Sequence, residues 1–211
     1  SFFFAPDKFY GTEMAIKEFI DSAHAKGIAV IMDMVLNHVF GSAPLAQMYW
    51  DSKASAPAAN NPWLNTAAKH PFNVGNDFNH QRTATQNYTK RVIKQWIEEF
   101  KIDGFRWDLT KGFTQNCTDT NYSCTDSYQA DRVAVLKSYA DYSWSLDPNH
   151  YVIFEHLGSD TEEQEWANYK INEGKGIMMW SEMWNSYKEL ANGTASSFDR
   201  MGHVAHGFTE K

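Results

Sequence analysis

The sequence predicts an α/β fold built around a parallel β-sheet. Helical and strand-like patterns alternate along its 211 residues without an internal repeat, as they do in parallel α/β architectures. The strand-like segments are short apolar runs, which is typical of parallel strands covered on both faces. Polar residues follow several of these runs. A closed parallel barrel and an open parallel sheet both place functional sites at the carboxyl ends of their strands.

After an apolar, strand-like start, the N-terminal part of the chain predicts one helix and one strand. Thr12 is a candidate N-cap, apolar residues follow at helical spacing, and Gly27 supplies the stop. Residues 28–36 are nearly all apolar, which predicts a buried parallel strand. Residues 42–81 show no sustained period and are too many for an ordinary connection, which indicates an irregular excursion or small subdomain.

The second half repeats the alternation of helix and strand. An amphipathic helix is predicted to end near Phe100, and residues 102–109 predict the next strand. A further helix stops near Pro148, and a short strand then ends at Glu155. The remaining predicted elements are a helix over 162–169, a strand over 176–180 and a helix over 184–190.

The strand over 102–109 contains an arginine and an aspartate that suggest chemistry. Arg106 and Asp108 are two residues apart, so their side chains point to the same face of a strand. A guanidinium beside a carboxylate keeps the carboxylate ionised, as a nucleophilic aspartate requires. On these residues alone, a buried structural ion pair is an equally good explanation.

Polar and charged residues lie in or just after three of the predicted strands: Asp33, Asn37 and His38; Arg106, Asp108 and Lys111; and Glu155. A satisfied buried polar group explains any one of them, but their convergence on successive strand ends favours a functional site. Glu155 follows an apolar segment and is expected to face an anionic neighbour. Both conditions favour its protonated form and suit a general acid.

The composition limits the classes of function. With 43% hydrophobic and 21% charged residues, the chain is typical of globular proteins. A net charge of −7 argues against a nucleic-acid partner, because no basic stripe exists to bind phosphates. The aromatic content of 15% suits stacking on sugars, although core packing is the usual role of any one aromatic residue. No apolar run approaches the roughly 20 residues of a membrane span.

Two cysteines lie close together in a polar loop. Cys117 and Cys124 are expected to form a disulfide in an oxidising compartment, with two free thiols as the alternative. Both ends of the chain look cut from a longer protein, so the absence of a signal peptide is uninformative. The expected location is secreted, periplasmic or cell-surface.

Four short stretches resemble motifs of the catalytic barrel of the α-amylase family of glycoside hydrolases, which act on α-linked glucans. MDMVLNH (32–38) resembles the third-strand motif, GFRWDLTKG (104–112) the fourth, and FEH (154–156) the fifth, while NDFNH (76–80) is similar to a motif in the excursion. The resemblance implies a partial (β/α)8 TIM barrel, roughly the second to sixth strands. Residues 1–211 would then be part of one catalytic domain, with the excursion over 42–81.

The resemblance also implies roles for individual residues. Asp108 would be the nucleophile and Glu155 the general acid/base of a retaining hydrolase acting on starch or maltodextrin, and Arg106 would orient Asp108. No cofactor would be required for the chemistry, and Asn37 is a candidate ligand of a structural Ca²⁺, while Asn37 and Asp77 would shape the pocket. The residues expected to bind the sugar are Asp33, His38, Arg106, Lys111 and His156.

The chain departs from the family pattern at two places. Gly112 stands where the family often has histidine, which weakens the case for a sugar contact and for a calcium-linked loop. The family's third carboxylate, in an Asn/Ser-His-Asp motif, does not occur before Lys211. The chain is therefore expected to be an internal fragment that is inactive alone.

Three other functions stay open at this point. The parent could be a non-catalytic carbohydrate-binding relative, or a transglycosylase of the same family. It could also be a metal-dependent barrel enzyme that uses Asp33, His38, Asp108 and Glu155 as ligands. The motifs do not decide between α-1,4 and α-1,6 linkages.

Overall fold

The computed structural model describes residues 2–180 and 183–194. Its α-helices are α1 (Glu13–His24), α2 (Pro44–Gln47), α3 (Thr83–Glu98), α4 (Tyr122–Asp126), α5 (Ala130–Leu146), α6 (Asp160–Ala167) and α7 (Trp184–Ala191). The strands are β1 (Ile31–Met34), β2 (His38–Val39), β3 (Trp50–Asp51), β4 (Ala56–Pro57), β5 (Asn76–Asp77), β6 (Gly104–Trp107), β7 (Tyr151–Glu155) and β8 (Met178–Trp180). Short 3₁₀ helices cover Lys8–Tyr10, Thr110–Phe113 and Ile171–Glu173.

A four-stranded sheet in the order β1-β6-β7-β8 organises these elements. All three pairings are parallel, which confirms the predicted α/β class with a parallel sheet. Helices α3 and α5 follow β5 and β6 in the chain and pack on each other. Because the strands are parallel, their carboxyl ends lie at one edge of the sheet.

The side chains of β6 divide between its two faces. Phe105 and Trp107 are fully buried, and the Trp107 ring stacks on Tyr139 of α5 at a centroid distance of 5.6 Å. Arg106 points to the opposite face, as the two-residue period of a strand requires. The helices thus cover one face of the sheet, and the charged residues lie on the other.

Gly104 allows the strands to approach closely. A Cβ atom at this position would lie 2.6 Å from Cβ and 2.8 Å from the carbonyl oxygen of Tyr151 on the neighbouring strand. Only glycine avoids this overlap with a backbone atom. The register of β6 against β7 therefore depends on this residue.

The helices follow the sequence predictions closely. Thr12 caps α1, because its Oγ1 accepts a hydrogen bond from the N–H of Ala15 at 3.2 Å. The predicted helices that end near Phe100 and Pro148 correspond to α3 and α5, and those over 162–169 and 184–190 correspond to α6 and α7. Periodic apolar residues and stop signals located these five helices, whereas the short helices α2 and α4 were not predicted.

β7 (Tyr151–Glu155) has the predicted extent, whereas the other three strands of the sheet are shorter than predicted. The apolar run over 28–36 contributes only Ile31–Met34, and Ile28 is 56% exposed. β1 is an edge strand among the described residues, so burial on both faces is not what the structure shows. The strand predicted over 102–109 ends at Trp107, because Leu109 adopts a left-handed conformation with φ of 44°. The apolar start of the chain forms a turn rather than the predicted strand. The N–H of Ala5 donates a hydrogen bond to the carbonyl of Phe2 and closes this turn.

The segment after β1 contains two small antiparallel ribbons, β2 with β5 and β3 with β4. The buried side-chain amide of Asn61 cross-links this segment. It donates a hydrogen bond to the carbonyl of Leu45 at 2.8 Å and accepts hydrogen bonds from the N–H groups of Trp63 and Leu64. His38, which follows the predicted strand over 28–36, is part of the short strand β2 and pairs with Asp77. Whether residues 42–81 form a separate subdomain stays a prediction.

Cys117 and Cys124 form a disulfide, as predicted for an oxidising compartment. The bond joins Cys117, in the loop after the Thr110–Phe113 turn, to Cys124 in α4. Within residues 2–180 and 183–194, no helix has the length and apolar character to cross a bilayer.

Candidate active site

A single guanidinium joins carboxylates from three neighbouring strand ends. Nη1 of Arg106 donates to Oδ1 of Asp33 at 2.6 Å and to Oδ1 of Asp108 at 2.7 Å. Nη2 lies 2.7 Å from Oε2 of Glu155. β1, β6 and β7 are parallel and paired in register, so their carboxyl ends bring these groups together. The structure therefore brings together four of the residues that the sequence singled out, Asp33, Arg106, Asp108 and Glu155.

Both carboxylate oxygens of Asp108 are held. Oδ1 binds Arg106, and Oδ2 accepts a hydrogen bond from Nδ2 of Asn37 at 3.0 Å. The same Nδ2 lies 3.0 Å from the backbone carbonyl of Asp108. Charge-assisted hydrogen bonds from fixed donors determine the orientation of a carboxylate. Asp108 is thus oriented by two residues from two strand ends.

Glu155 is held through its Oε2 atom. Besides Arg106, this oxygen accepts from the backbone N–H of Leu109 at 3.1 Å. The left-handed conformation of Leu109 (φ 44°) is uncommon for a residue with a side chain, and such strained positions cluster at functional sites.

The sequence predicted an anionic neighbour for Glu155 but not the contact of Glu155 with a cation, Arg106. The sequence pattern assigned Arg106 to Asp108 alone, whereas in the structure the guanidinium contacts both carboxylates. Sequence spacing within one strand could not show this, because the contact depends on the register between two strands.

Asp33 is the outermost carboxylate of the group. Its side chain is 62% exposed, compared with 26% for Asp108 and 22% for Glu155. The predicted sugar-binding role of Asp33 stays a prediction, and its exposure leaves it accessible to a ligand.

His38 and Asn37 form a buried pair next to Asp108. Nδ1 of His38 contacts Oδ1 of Asn37, and the His38 ring packs edge-on against Phe40. Burial lowers the pKa of His38, although the nearby charge of Asp108 opposes this effect. The His38 imidazole is therefore expected to be neutral at neutral pH. Its role in binding the sugar stays a prediction.

The surroundings of Asn37 do not fit the candidate role of a calcium ligand. A calcium site needs carbonyl or carboxylate oxygens that point at the ion, but the amide oxygen of Asn37 faces His38 and its nitrogen donates to Asp108. In the described part of the chain, no group of three or more His, Cys, Asp or Glu side chains could hold a metal. The geometry instead gives Asn37 a role in orienting Asp108.

Arg106 also bears on the alternative of a metal-dependent enzyme. Three of the four proposed ligands, Asp33, Asp108 and Glu155, surround the guanidinium. The cation that these three carboxylates bind is therefore the side chain of Arg106, which occupies the place that a metal ion would need. This favours the interpretation as a glycosidase over that as a metal-dependent enzyme.

Lys111 does not join the group at Arg106. Its Nζ binds Oδ1 of Asp126 at 2.7 Å and lies 4.7 Å from the centre of the Phe72 ring. The predicted sugar-binding role of Lys111 would require the ammonium group to leave this ion pair, and the geometry does not support it.

His156 is fully buried and is not placed to contact a sugar. Its Nδ1 lies 3.0 Å from Oγ1 of Thr110, and its Nε2 lies 2.6 Å from Oε2 of Glu162. The predicted substrate-binding role of His156 is at odds with this environment, because successive residues of a strand end point to opposite faces. Glu155 faces the site, and His156 faces the interior.

The space beside Gly112 explains why glycine is acceptable there. A Cβ atom at residue 112 would lie 2.8 Å from Nε2 of His70 and 3.1 Å from Cβ of Asn37. The buried His70, from the segment after β2, occupies this space and lies 3.4 Å from Oδ1 of Asp77. An imidazole from a distant part of the sequence thus lies beside Gly112, where the family pattern often has its own histidine.

Trp180 is a site residue that sequence reasoning missed. Its ring centre lies 4.6 Å from Cζ of Arg106, and the side chain is 52% exposed. It pairs with Glu155 in the ladder between β7 and β8. The sequence held a signal for Trp180, because it ends the predicted strand over 176–180. The ends of the other predicted strands carry the polar site residues, so a side chain at this strand end was expected to lie near them.

Comparisons with known proteins match this chain to proteins of the amylase type. Residues 3–73 match the family model for the catalytic domain of alpha amylase. The chain is 30% identical over 183 residues to the beta/alpha-amylase of Paenibacillus polymyxa, an alignment that covers 75% of this chain and 15% of that protein. It is 22% identical over 218 residues to the cyclomaltodextrin glucanotransferase of Geobacillus stearothermophilus, covering 93% of this chain and 30% of that protein.

Among solved structures, Eubacterium rectale Amy13B has a similar fold, with a TM-score of 0.66 at 20% identity. The match covers 92% of this chain and 40% of that one. This chain therefore spans less than half the length of the proteins it matches here.

Proposed function

Because this chain belongs to the α-amylase family, we propose that the protein carrying it is a retaining glycoside hydrolase acting on α-linked glucans such as starch or maltodextrin. The observation that carries the proposal is the sharing of Arg106 between Asp108 and Glu155. Two carboxylates on one guanidinium lie close together, and retaining glycosidases hold their two carboxyl groups about 5–5.5 Å apart.

Asp108 is the nucleophile in this proposal. Arg106 and Asn37 hold its two oxygens, so the carboxylate can attack the anomeric carbon without reorienting. The attack forms a bond from Asp108 to the sugar, and the glycosidic carbon–oxygen bond breaks.

Glu155 is the general acid/base. Its contacts with Arg106 and Leu109 both use Oε2, and we assign the proton to Oε1. Glu155 donates this proton to the departing glycosidic oxygen, and then accepts one from the water that cleaves the bond between Asp108 and the sugar. The anomeric configuration is retained because two inversions occur.

Arg106, Trp180 and Asp33 complete the site. The guanidinium compensates the charge that moves between the carboxylates, and its own face is covered by Trp180. The exposed Trp180 ring and the exposed Asp33 carboxylate offer a stacking surface and hydrogen-bond acceptors for sugar hydroxyl groups.

The architecture and the location are part of the same proposal. We assign the four parallel strands to a (β/α)8 barrel, supported by the similarity in fold to Amy13B. The disulfide between Cys117 and Cys124 supports a secreted, periplasmic or cell-surface location.

Substitution of the two carboxylates tests the proposal in the full-length protein. Asp108→Asn should abolish hydrolysis of maltooligosaccharides and of activated aryl α-glucosides, because both need the nucleophile. Glu155→Gln should abolish hydrolysis of maltooligosaccharides but partly spare the aryl glucosides, whose leaving groups need little protonation. Asp141→Asn is the matched control, since Asp141 is likewise a carboxylate in an ion pair, with Lys170 at 2.7 Å, but lies on α5.

The outcomes separate the competing functions. Near wild-type starch hydrolysis by Asp108→Asn would contradict the proposal. A wild-type protein that binds maltooligosaccharides without cleaving them would indicate the non-catalytic relative. Transfer of glucosyl units to added sugar in place of water, read by product analysis, would indicate the transglycosylase, the activity named for the relative from Geobacillus stearothermophilus.

A further inference from the structure

A second polar network lies behind the site, on the buried side of the strand ends. It consists of Thr110, His156, Glu162 and Arg132, all fully buried. We propose that Thr110 and His156 are positioning residues that fix Glu155 relative to Asp108, with Glu162 and Arg132 as their anchor. This inference rests on the function proposed above, because it concerns the acid/base step.

Thr110 connects the two strand ends directly. Its Oγ1 lies 3.1 Å from the backbone carbonyl of Glu155 and 3.0 Å from Nδ1 of His156. Thr110 follows Asp108 by two residues, and His156 follows Glu155 directly. One hydroxyl group therefore ties the segment that carries the nucleophile to the segment that carries the acid.

His156 connects this hydroxyl to a buried carboxylate. Its Nε2 lies 2.6 Å from Oε2 of Glu162, a short contact that is not aligned as a hydrogen bond. Burial lowers the pKa of His156 to about 4, although Glu162 opposes this effect, so the ring is neutral at pH 7. The carboxylate favours the ring hydrogen on Nε2, so Nδ1 is an acceptor, and the single hydrogen of the Thr110 hydroxyl is shared between Nδ1 and the carbonyl oxygen of Glu155.

Glu162 is fixed in turn by Arg132. Nη2 and Nε of Arg132 donate to its two oxygens at 2.6 and 3.2 Å, and the N–H of Gln129 adds a bond of 2.8 Å. Burial alone would raise the pKa of Glu162, but His156 and Arg132 together lower it. Glu162 is therefore ionised, and its negative charge is fully compensated.

Arg132 extends the anchor to the loop after β6. It donates to the backbone carbonyls of Lys111, Thr125 and Ser127 at 3.0, 2.9 and 2.9 Å. Every donor group of its guanidinium is used, so the position of Arg132 is fixed. Because Thr110, Glu162 and Arg132 are buried and hydrogen-bonded, the network can hold Glu155 to the accuracy that proton transfer needs, and a displacement of about 1 Å can cost about 100-fold in rate.

The test compares two substrates in the full-length protein. Hydrolysis of maltooligosaccharides needs protonation of the leaving group, whereas hydrolysis of α-glucosyl fluoride does not. A displaced Glu155 should therefore slow the first reaction more than the second. A structural defect alone would lower both rates by the same factor, because it reduces only the fraction of folded enzyme.

Thr110→Val removes the hydroxyl with little change of volume. We expect kcat on maltooligosaccharides to fall at least about 10-fold further than kcat on α-glucosyl fluoride. Thr110→Ser keeps the hydroxyl and should restore the ratio. Thr114→Val is the matched control, because Thr114 is also buried but its Oγ1 binds Asp131 at 2.9 Å; its ratio should equal that of the wild type.

A Thr110→Val ratio equal to that of the wild type would overturn the inference. If Thr110→Val does not fold, as judged by circular dichroism, the ratio measured for His156→Gln decides instead, by the same criterion. Failure of the wild-type protein to cleave either substrate would contradict the proposed function rather than the positioning role.

Discussion

Nη2 of Arg106 lies 2.7 Å from Oε2 of Glu155, on the guanidinium whose other end binds Asp108. One side chain thus sets both the distance and the charge balance between the two carboxylates. The planar fork of arginine is suited to this bridge, whereas a lysine ammonium is a point charge at the end of a flexible stem.

Arg106→Lys is therefore expected to lower kcat by about 100-fold or more, as is usual when one preorganised electrostatic group is lost. Steady-state kinetics on maltooligosaccharides, with circular dichroism to check the fold, would measure this. Arg91→Lys provides the same substitution on α3, where Arg91 lies over Phe4 at 5.8 Å. A fall in kcat of less than about 10-fold in Arg106→Lys would contradict the bridging role.

Gly104 gives a prediction about stability. Gly104→Ala would place a Cβ atom 2.6 Å from Cβ and 2.8 Å from the carbonyl of Tyr151, so β6 and β7 must shift apart. Overpacking of this kind typically costs about 1–3 kcal/mol.

Gly41→Ala is the control for this substitution, because its nearest neighbour would be Trp50 at 3.8 Å, an ordinary contact. Urea unfolding of both variants compares the costs. Equal midpoints would show that β6 and β7 are not packed as described.

Much of the architecture could be predicted from local pattern. The capping signal at Thr12, the apolar periodicity of α3 and α5, and the disulfide between Cys117 and Cys124 each depend on residues close together in sequence. The same holds for the pairing of Arg106 with Asp108, because both lie at one strand end.

Other features depend on which strands are neighbours and in which register. The contact of Arg106 with Glu155 and the position of Trp180 over the guanidinium follow from the pairing of β6, β7 and β8. The packing of His70 beside Gly112 joins two segments far apart in the chain. Composition and periodicity describe one element at a time and cannot supply these contacts.

The strand over 102–109 was predicted too long for a related reason. Apolar character continues through Leu109, but the left-handed conformation of that residue turns its N–H toward Glu155. A tertiary contact thus overrides the local strand preference at the point where the site is formed.

Buried histidines predict how stability depends on pH. Burial lowers the pKa of His150 to about 4, against the nearby charges of Asp147 and Asp103, whereas an exposed histidine in the unfolded chain titrates near about 6.5. Between these values the unfolded chain binds more protons than the folded one. Stability should therefore fall as the pH is lowered from about 6.5 toward 4, and the contribution of His150 should level off below about 4.

His150→Gln removes this titrating group, so its Tm should fall less steeply than that of the wild type between pH 7 and pH 4.5. The loss of stability due to protonation of His150 between pH 7 and pH 4 is on the order of 3 kcal/mol. Thermal unfolding followed by circular dichroism across this range is the measurement. Identical slopes for the two proteins would show that His150 is not buried in its neutral form.

The disulfide should have a modest effect on stability. Replacing Cys117 and Cys124 with serine opens a short ring, and the chain-entropy model gives a loss of about 2–3 kcal/mol at most. The core should persist, because the ring spans only a loop and the start of the short helix α4. Unfolding of the double variant beside the oxidised wild type would measure the loss, and complete unfolding at 25 °C would contradict the view that the bond only tethers this loop.

The most direct test of the central claim is to trap the covalent intermediate on Asp108. A fluorinated α-glucosyl fluoride reacts with a retaining glycosidase and leaves a slowly hydrolysed glycosyl-enzyme, because the added fluorine disfavours the oxocarbenium-like transition state of the second step. Intact-mass analysis followed by peptide mapping should find one added glycosyl unit on the peptide that contains Asp108. An adduct on another carboxylate, or steady hydrolysis with inversion of configuration and no adduct, would contradict the account.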